Sequence, residues 1–365
     1  MMMRPLRRID ADAWRRAALL ALLAFGAALP LCAQDSAKSR KPPKPSALFA
    51  TDSVLTFTLV TDFQGLAGQR DTLKHKAFPG VVRVAGPQGE KSLPVEVYTR
   101  GHYRLRSDRC SFPPLRVVFG KGTKDTPFDD QKSLKLVTHC RDNSDDYHEY
   151  VLRELLAYRA HALVTPASFR TRLVKVRYVR SRDTTKVMER WGFLVESERE
   201  LARRMGGRLL EAKNARFPDI APDSAVGLSM WQYFLGNTDW SLSALHNVRL
   251  VQRDQDVFAV PYDFDFTGFV GASYAIPDPM LPIKSVTERL WRGPCPTREA
   301  IAAAVAPFVA QRAALEAVPH SLPGVADGWA NRAERFIRQF YDDVKDPGRF
   351  ASFARAARPG CPVSN

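Results

Sequence analysis

Between residue 48 and about residue 120, hydrophobic and polar positions alternate with period two. Leu55, Phe57 and Leu59 are separated by Thr56 and Thr58, and Val95, Val97 and Thr99 alternate with Glu96 and Tyr98. Successive side chains of a strand point to opposite faces, so the pattern predicts half-buried strands. Arg116–Phe119 and Leu134–Thr138 predict two more, separated by a Gly/Lys/Asp turn region. The period then changes. Tyr147, Val151, Leu155, Tyr158 and Ala162 follow at helical spacing, with Asp145 and Asp146 where the helix dipole favours acid, which predicts a helix to about Leu163.

After Pro166 the chain alternates again over Val174–Tyr178, turns at Ser181–Thr185, and resumes an extended apolar run at Trp191–Val195, which predicts a hairpin. Glu198–Met205 predicts a short charged helix stopped by Gly206-Gly207. Ser224–Leu235 predicts an apolar helix ended by Gly236, with Trp231, Tyr233 and Phe234 in the core. Beyond residue 297, helices are expected over Ile301–Val318, Trp329–Val344 and Phe350–Ala356. The order is β-rich first, mixed in the middle and helical last. The expected fold class is α+β, with a β-rich half over 48–196 carrying one helix and a mainly helical half over 197–365.

The chain has 365 residues, enough for one large domain or two lobes, and no repeat period is evident. Its formal charge is +15, which favours anionic partners. The N-terminus changes that picture. Five arginines precede the uncharged apolar stretch Ala17–Leu31, and Leu31-Cys32-Ala33 offers a small residue for cleavage, so residues 1–33 read as a secretory signal peptide. Its removal takes five Arg and two Asp and leaves +12. The export reading puts the protein in the periplasm or outside the cell and excludes nucleic acid as a partner; a lipid anchor on Cys32 is the competing reading. Residues 34–47, rich in Pro, Lys and Ser, read as a disordered linker. Cys110, Cys140, Cys295 and Cys361 remain, an even number compatible with disulfides in an oxidising compartment, with three possible pairings.

Candidate chemistry concentrates in Gly236-Asn237-Thr238-Asp239-Trp240, Leu245-His246-Asn247-Val248, and Val260-Pro261-Tyr262-Asp263-Phe264-Asp265. An Asp after a helix end, an Asn entering one strand and an Asp leaving the next can converge at one hairpin mouth. Phosphoryl transfer requires such a set: a carboxylate to orient or deprotonate the acceptor hydroxyl, and oxygen ligands for a magnesium ion on the nucleotide phosphates. No G-x-G-x-x-G loop, Walker A motif or G-x-S-x-G elbow is present.

These segments resemble the catalytic segment of the CotH (spore coat protein H) family of atypical, exported kinase-like proteins, and are similar in layout to HipA-type and lipid-kinase loops. Upstream, Arg100-Gly101-His102 to Phe119, Leu134-Lys135-Leu136 with the following helix, and Trp191–Glu196 resemble the family's Arg-Gly segment, its strand-to-helix element and the strand into the interlobe hinge. The resemblance covers roughly residues 50 to 290 and is specific only over 237–265. It implies a two-lobed protein-kinase-like fold with ATP and magnesium (or manganese) between the lobes. Asp239 would be the catalytic-loop carboxylate, Asn247 and Asp263 metal ligands, and Asp265 a second carboxylate ligand. Lys135 would contact phosphate and pair with Glu154, Arg100, Arg104 and Arg116 would add positive charge, and Glu196, at the hinge, would complete the nucleotide-binding set. Seven residues separate Asp239 from Asn247 where protein kinases usually have four, so the loop must bulge.

The function implied is that of an atypical kinase acting on an unidentified hydroxyl acceptor such as an envelope protein. Two other classes stand beside it: a non-catalytic envelope binding or assembly module of the same fold, and a metal-dependent hydrolase or glycosyltransferase using the D-x-D triplet Asp263-Phe264-Asp265.

Overall fold

Alternation along the first strand sets the architecture. In the computed structural model, Leu55, Phe57, Leu59 and Thr61 of β1 (Leu55–Thr61) are all buried on one side. The structure describes residues 46–361 apart from Thr72, His75 and Pro359; the expected signal peptide, Cys32 and nearly all of the 34–47 linker lie outside the described residues. A short helix α1 (Phe63–Gly68) leads to β2 (Phe78–Gly86), β3 (Gly89–Thr99), β4 (Leu115–Phe119) and β5 (Ser133–Val137). Helix α2 (Asp145–Val164) follows, then the hairpin β6 (Thr171–Arg180) and β7 (Asp183–Val195).

These seven strands close into a barrel in the order β1-β2-β3-β4-β5-β7-β6. All neighbours are antiparallel except β1 and β6, which run parallel from Leu55↔Val174 to Thr61↔Arg180. Closure leaves no free edge to template pairing with another chain. Phe57, Leu59, Val82, Val97, Leu136 and Val176 fill the interior.

The rest is mostly helical: α3 (Glu198–Arg204), a three-stranded sheet of β8 (Arg208–Leu210), β9 (Val248–Arg253) and β10 (Asp256–Pro261), then α4 (Pro222–Leu235), α5 (Arg298–Ala310), α6 (Arg312–Ala317), α7 (Asp327–Val344) and α8 (Pro347–Ala356). Strand and helix content thus make an α+β protein. Residues 48–196 and 197–365 share one hydrophobic cluster, in which Leu155, Leu156 and Phe193 meet Trp231, Phe264 and Phe340.

Two elements differ from their sequence pattern. Helix α2 is buried from Tyr150 through Tyr158 and not along a single face, because the barrel lies on one side and the later helices on the other. The single helix expected over 301–318 is two, bent by 60° at Gln311. Pro307 lies one turn before the break, where its missing N–H and its ring weaken the helix. Among the described residues no single helix is long and apolar enough to cross a membrane. The cysteines pair as Cys110–Cys140 and Cys295–Cys361, as expected of a protein made for an oxidising, exported environment.

Candidate functional site

Gly236 ends α4 in the left-handed region at φ 62°, where a Cβ would stand 2.8 Å from the Val286 carbonyl oxygen. Glycine is thus required both by the backbone conformation and by the close approach. The turn delivers Asn237, which is buried. Its Nδ2 donates to Gln232 Oε1 at 2.8 Å, and its Oδ1 accepts from the Asp239 N–H at 2.9 Å, so the helix end fixes the residue that matters two positions later.

The Asp239 carboxylate is half-exposed and held on both oxygens. His246 Nε2 lies 2.9 Å from Oδ1, while Asn247 Nδ2 donates to Oδ2 at 3.0 Å and to the Asp239 carbonyl at 2.8 Å. The seven-residue interval closes through a bridge between Ser241 and His246, each donating its N–H to the other's carbonyl, at 3.0 and 2.9 Å. Leu245 and Asn247 take up left-handed backbone, φ 51° and 53°, to make the return. The loop does bulge, and the bulge brings Asn247 back against Asp239.

Asn247 also couples the loop to Asp263. Its carbonyl accepts from the Tyr262 N–H at 3.0 Å, extending the β9–β10 ladder one step past Val248↔Pro261. Asp263 follows in left-handed backbone, φ 65°, with its N–H donating to the Tyr158 hydroxyl of α2 at 2.8 Å. Asp239, Asn247 and Asp263 therefore stand at one end of one hairpin. The charges of Asp239 and Asp263 are both felt by Asp265 and by His246, whose imidazole is held above its usual range mainly by its hydrogen bond to Asp239.

Asp265 is turned inward. It is buried, accepts from the Tyr274 hydroxyl at 3.0 Å, and its carboxyl is pushed up to about 7 by burial and by the charge of Asp263. Glu154 on α2 is buried beside it. Burial, then Asp265 and Asp263, raise its carboxyl well above the usual range, with Arg104 and Arg100 opposing. Arg104 donates to the Thr138 carbonyl; burial works against its charge, but Tyr274, Asp265, Glu154 and Asp263 outweigh it.

Lys135 does not pair with Glu154. Its Nζ lies 2.8 Å from Glu198 Oε1, at the start of α3, and Arg249 Nε reaches the same oxygen at 3.1 Å. The Tyr262 ring is flanked by both cations, at 4.9 Å from Lys135 and 4.5 Å from Arg249. Lys135 sits on the barrel's outer face, while Glu154 points to the cluster around Asp265. Burial lowers the lysine's pKa, partly countered by Glu198.

Glu196 cannot offer its side chain to a ligand. It is fully buried, bonded by Arg204 Nε at 3.0 Å and Nη2 at 2.9 Å and by the Arg170 N–H at 3.1 Å, and it locks the end of β7 to α3. Arg116 is exposed on the barrel, stacked 4.9 Å over Tyr98 and opposite Lys135 in the β4–β5 register. Tyr158, Glu198 and Tyr274 join the site without a sequence signal of their own, and Tyr262 joins it from within the candidate segment before Asp263. Glu198 reads in the sequence as one of several charges on a short helix.

Among the described residues no three His, Cys, Asp or Glu side chains stand close enough to hold a metal ion by themselves. Magnesium does not require that, since it is commonly held by one or two carboxylates plus substrate phosphates. Asp263 has no hydrogen bond to its carboxylate among the described residues, and Asn247 spends its amide N–H groups on Asp239, leaving Oδ1 available; these oxygens suit a hard divalent cation completed by phosphate. No family model matches the chain, and no curated protein matches it in sequence.

Proposed function

We propose that the chain is an exported, kinase-like phosphotransferase of the CotH type, using magnesium-bound ATP to phosphorylate a hydroxyl acceptor. One observation carries the reading. Asn247 grips Asp239 through its amide and the residue before Asp263 through its carbonyl, so a loop carboxylate, an amide oxygen and a post-strand carboxylate share one hairpin mouth. The chain order supports it too: a strand bearing Lys135, a buried helix bearing Glu154, a hairpin ending at the Glu196 lock, then a helical half with the loop residues. A two-lobed kinase-like fold would present its elements in this order.

In this reading Asp263 and Asn247 Oδ1 would hold the divalent ion, which when bound would offset phosphate charge. Asp239, kept in place by His246 and Asn247, accepts a hydrogen bond from the acceptor hydroxyl and aims it at the γ-phosphorus. As the new O–P bond forms, the bond from phosphorus to the β,γ-bridging oxygen breaks, ADP leaves, and Asp239 takes the hydroxyl proton. Arg100 and Arg104, whose charges are felt by Glu154 beside Asp265, would supply positive charge to the site. Asp265, buried on Tyr274, is a supporting group, which argues against a D-x-D hydrolase or glycosyltransferase.

One observation favours the non-catalytic alternative: the lysine expected to reach phosphate is already paired with Glu198. The two readings separate on turnover. Incubation of the protein with magnesium and ATP labelled on the γ-phosphate should release or transfer label, and Asp239→Asn should abolish it. Magnesium-dependent ATP binding with no label transfer, in wild type and variant alike, would establish the binding module instead.

A further inference from the structure

Next to the loop that carries Asp239 lies a cavity of about 450 Å³ whose walls include Arg216, Phe217, Trp240, Ser241, Arg292 and Arg358. Its charge is one-sided. Arg292 and Arg358 line it together, and among the described residues neither forms an ion pair. The pKa of Arg292 is lowered by burial and by Arg358, although Asp278 and Asp239 partly offset this. Two guanidinium groups lining one concave site without a contacting carboxylate are complementary to an anion, which guanidinium binds in a bidentate fashion.

Both arginines are built into place. Arg292 donates to the carbonyls of Thr238 and Trp240, the residues on either side of Asp239, and lies 5.6 Å over the Trp240 ring. Arg358 donates to the Arg292 carbonyl at 3.2 Å and lies 5.1 Å over Phe217. Three residues later Cys361 is tied to Cys295, so the disulfide holds the segment carrying Arg358 against the one carrying Arg292. Phe217 and Trp240 give the cavity apolar, planar walls.

We propose that this cavity binds the anionic end of the acceptor, a molecule carrying a phosphate or carboxylate group on a planar or apolar body, and so sets its hydroxyl beside Asp239. Binding in the cavity is independent of the phosphotransferase reading; only the identification of the ligand as acceptor rests on it. Arg292 anchors the catalytic loop and the anion together, so occupancy is felt on both sides of Asp239.

The test uses the full chain and two probes, phenyl phosphate and benzoate, followed by isothermal titration and by Trp fluorescence. Phenyl phosphate or benzoate should bind with an affinity that falls as salt rises, and Arg358→Gln should weaken it by about tenfold or more. The probe that binds more tightly identifies the anion. Asp263→Ala should leave probe binding intact, whereas Arg358→Gln should leave magnesium-ATP binding intact, so loss of nucleotide binding and loss of probe binding are separately readable. Arg358→Lys provides a second variant with the charge kept and the fork removed, and an unchanged melting temperature verifies the fold of both. Absence of binding by both probes, or binding unaffected in Arg358→Gln, overturns the proposal whatever nucleotide does.

Discussion

His161 should make the protein acid-labile by an amount that can be calculated from its surroundings. The residue lies near the end of α2 with its ring stacked on Trp231 at 4.4 Å and 21°, and edge-on to Phe264 at 6.0 Å. Its side chain is buried, Nδ1 finds no partner among the described residues, and burial alone lowers its pKa from 6.5 to about 3. Below pH 6.5 the unfolded chain therefore binds a proton that the folded chain refuses. Stability falls as pH drops from about 6.5 toward 3 and levels off below that. At pH 4.5 the unfolded imidazole is almost fully protonated and the folded one is not, a loss of about 2 to 3 kcal/mol from this residue. Raised carboxyls such as Glu154 and Asp265 change with pH in the opposite sense, so the wild-type profile alone does not isolate His161. His161→Phe keeps an aromatic ring on Trp231 and removes the titration. Urea unfolding of both proteins at pH 7.5 and 4.5 gives the comparison: the variant's stability relative to wild type should rise by that 2 to 3 kcal/mol on acidification. Parallel profiles would refute the burial argument.

Glu196→Ala should cost about 3 to 5 kcal/mol in urea unfolding, since Arg204, largely shielded from water, loses its only charge partner among the described residues and keeps only backbone carbonyls. A loss under 1 kcal/mol would mean the ion pair is solvated and α3 is held by other contacts. Replacing both cysteines of Cys295–Cys361 by serine should cost about 4 kcal/mol from the entropy of a loop spanning 66 positions, and the Cys110–Cys140 pair, spanning 30, somewhat less. Differential scanning calorimetry of the two double variants checks the order; an unchanged melting temperature in either would show that bridge to be unimportant for the folded state.

Local order was largely readable from the chain, and long-range order was not. The alternation of Leu55, Phe57 and Leu59, the helix from Asp145 and the stop at Gly236 each follow from side-chain direction or backbone freedom within a few residues. Closure of the barrel depends on β1 lying parallel to β6, a pairing across more than a hundred residues that no local pattern encodes. The chemical residues divide in the same way. Asp239, Asn247 and Asp263 stand out because each lies beside a helix or strand boundary, and the pairing of β9 with β10 brings such positions together. The partner of Lys135 does not stand out. Helical spacing offers Glu154, and the structure uses Glu198, which reaches the barrel only because α3 follows the lock at Glu196. Arg292 and Arg358 were silent for the same reason: their approach is made by a disulfide and two loops, not by spacing.

The central claim is that Asp239, Asn247 and Asp263 form one phosphate- and cation-binding mouth. Titration of ATP into the protein with and without magnesium, beside Asp263→Ala verified as folded by circular dichroism, tests it most directly. The account predicts binding that requires magnesium and weakens by about tenfold or more in the variant. Equal affinity with and without magnesium, or an affinity that Asp263→Ala leaves unchanged, would contradict it.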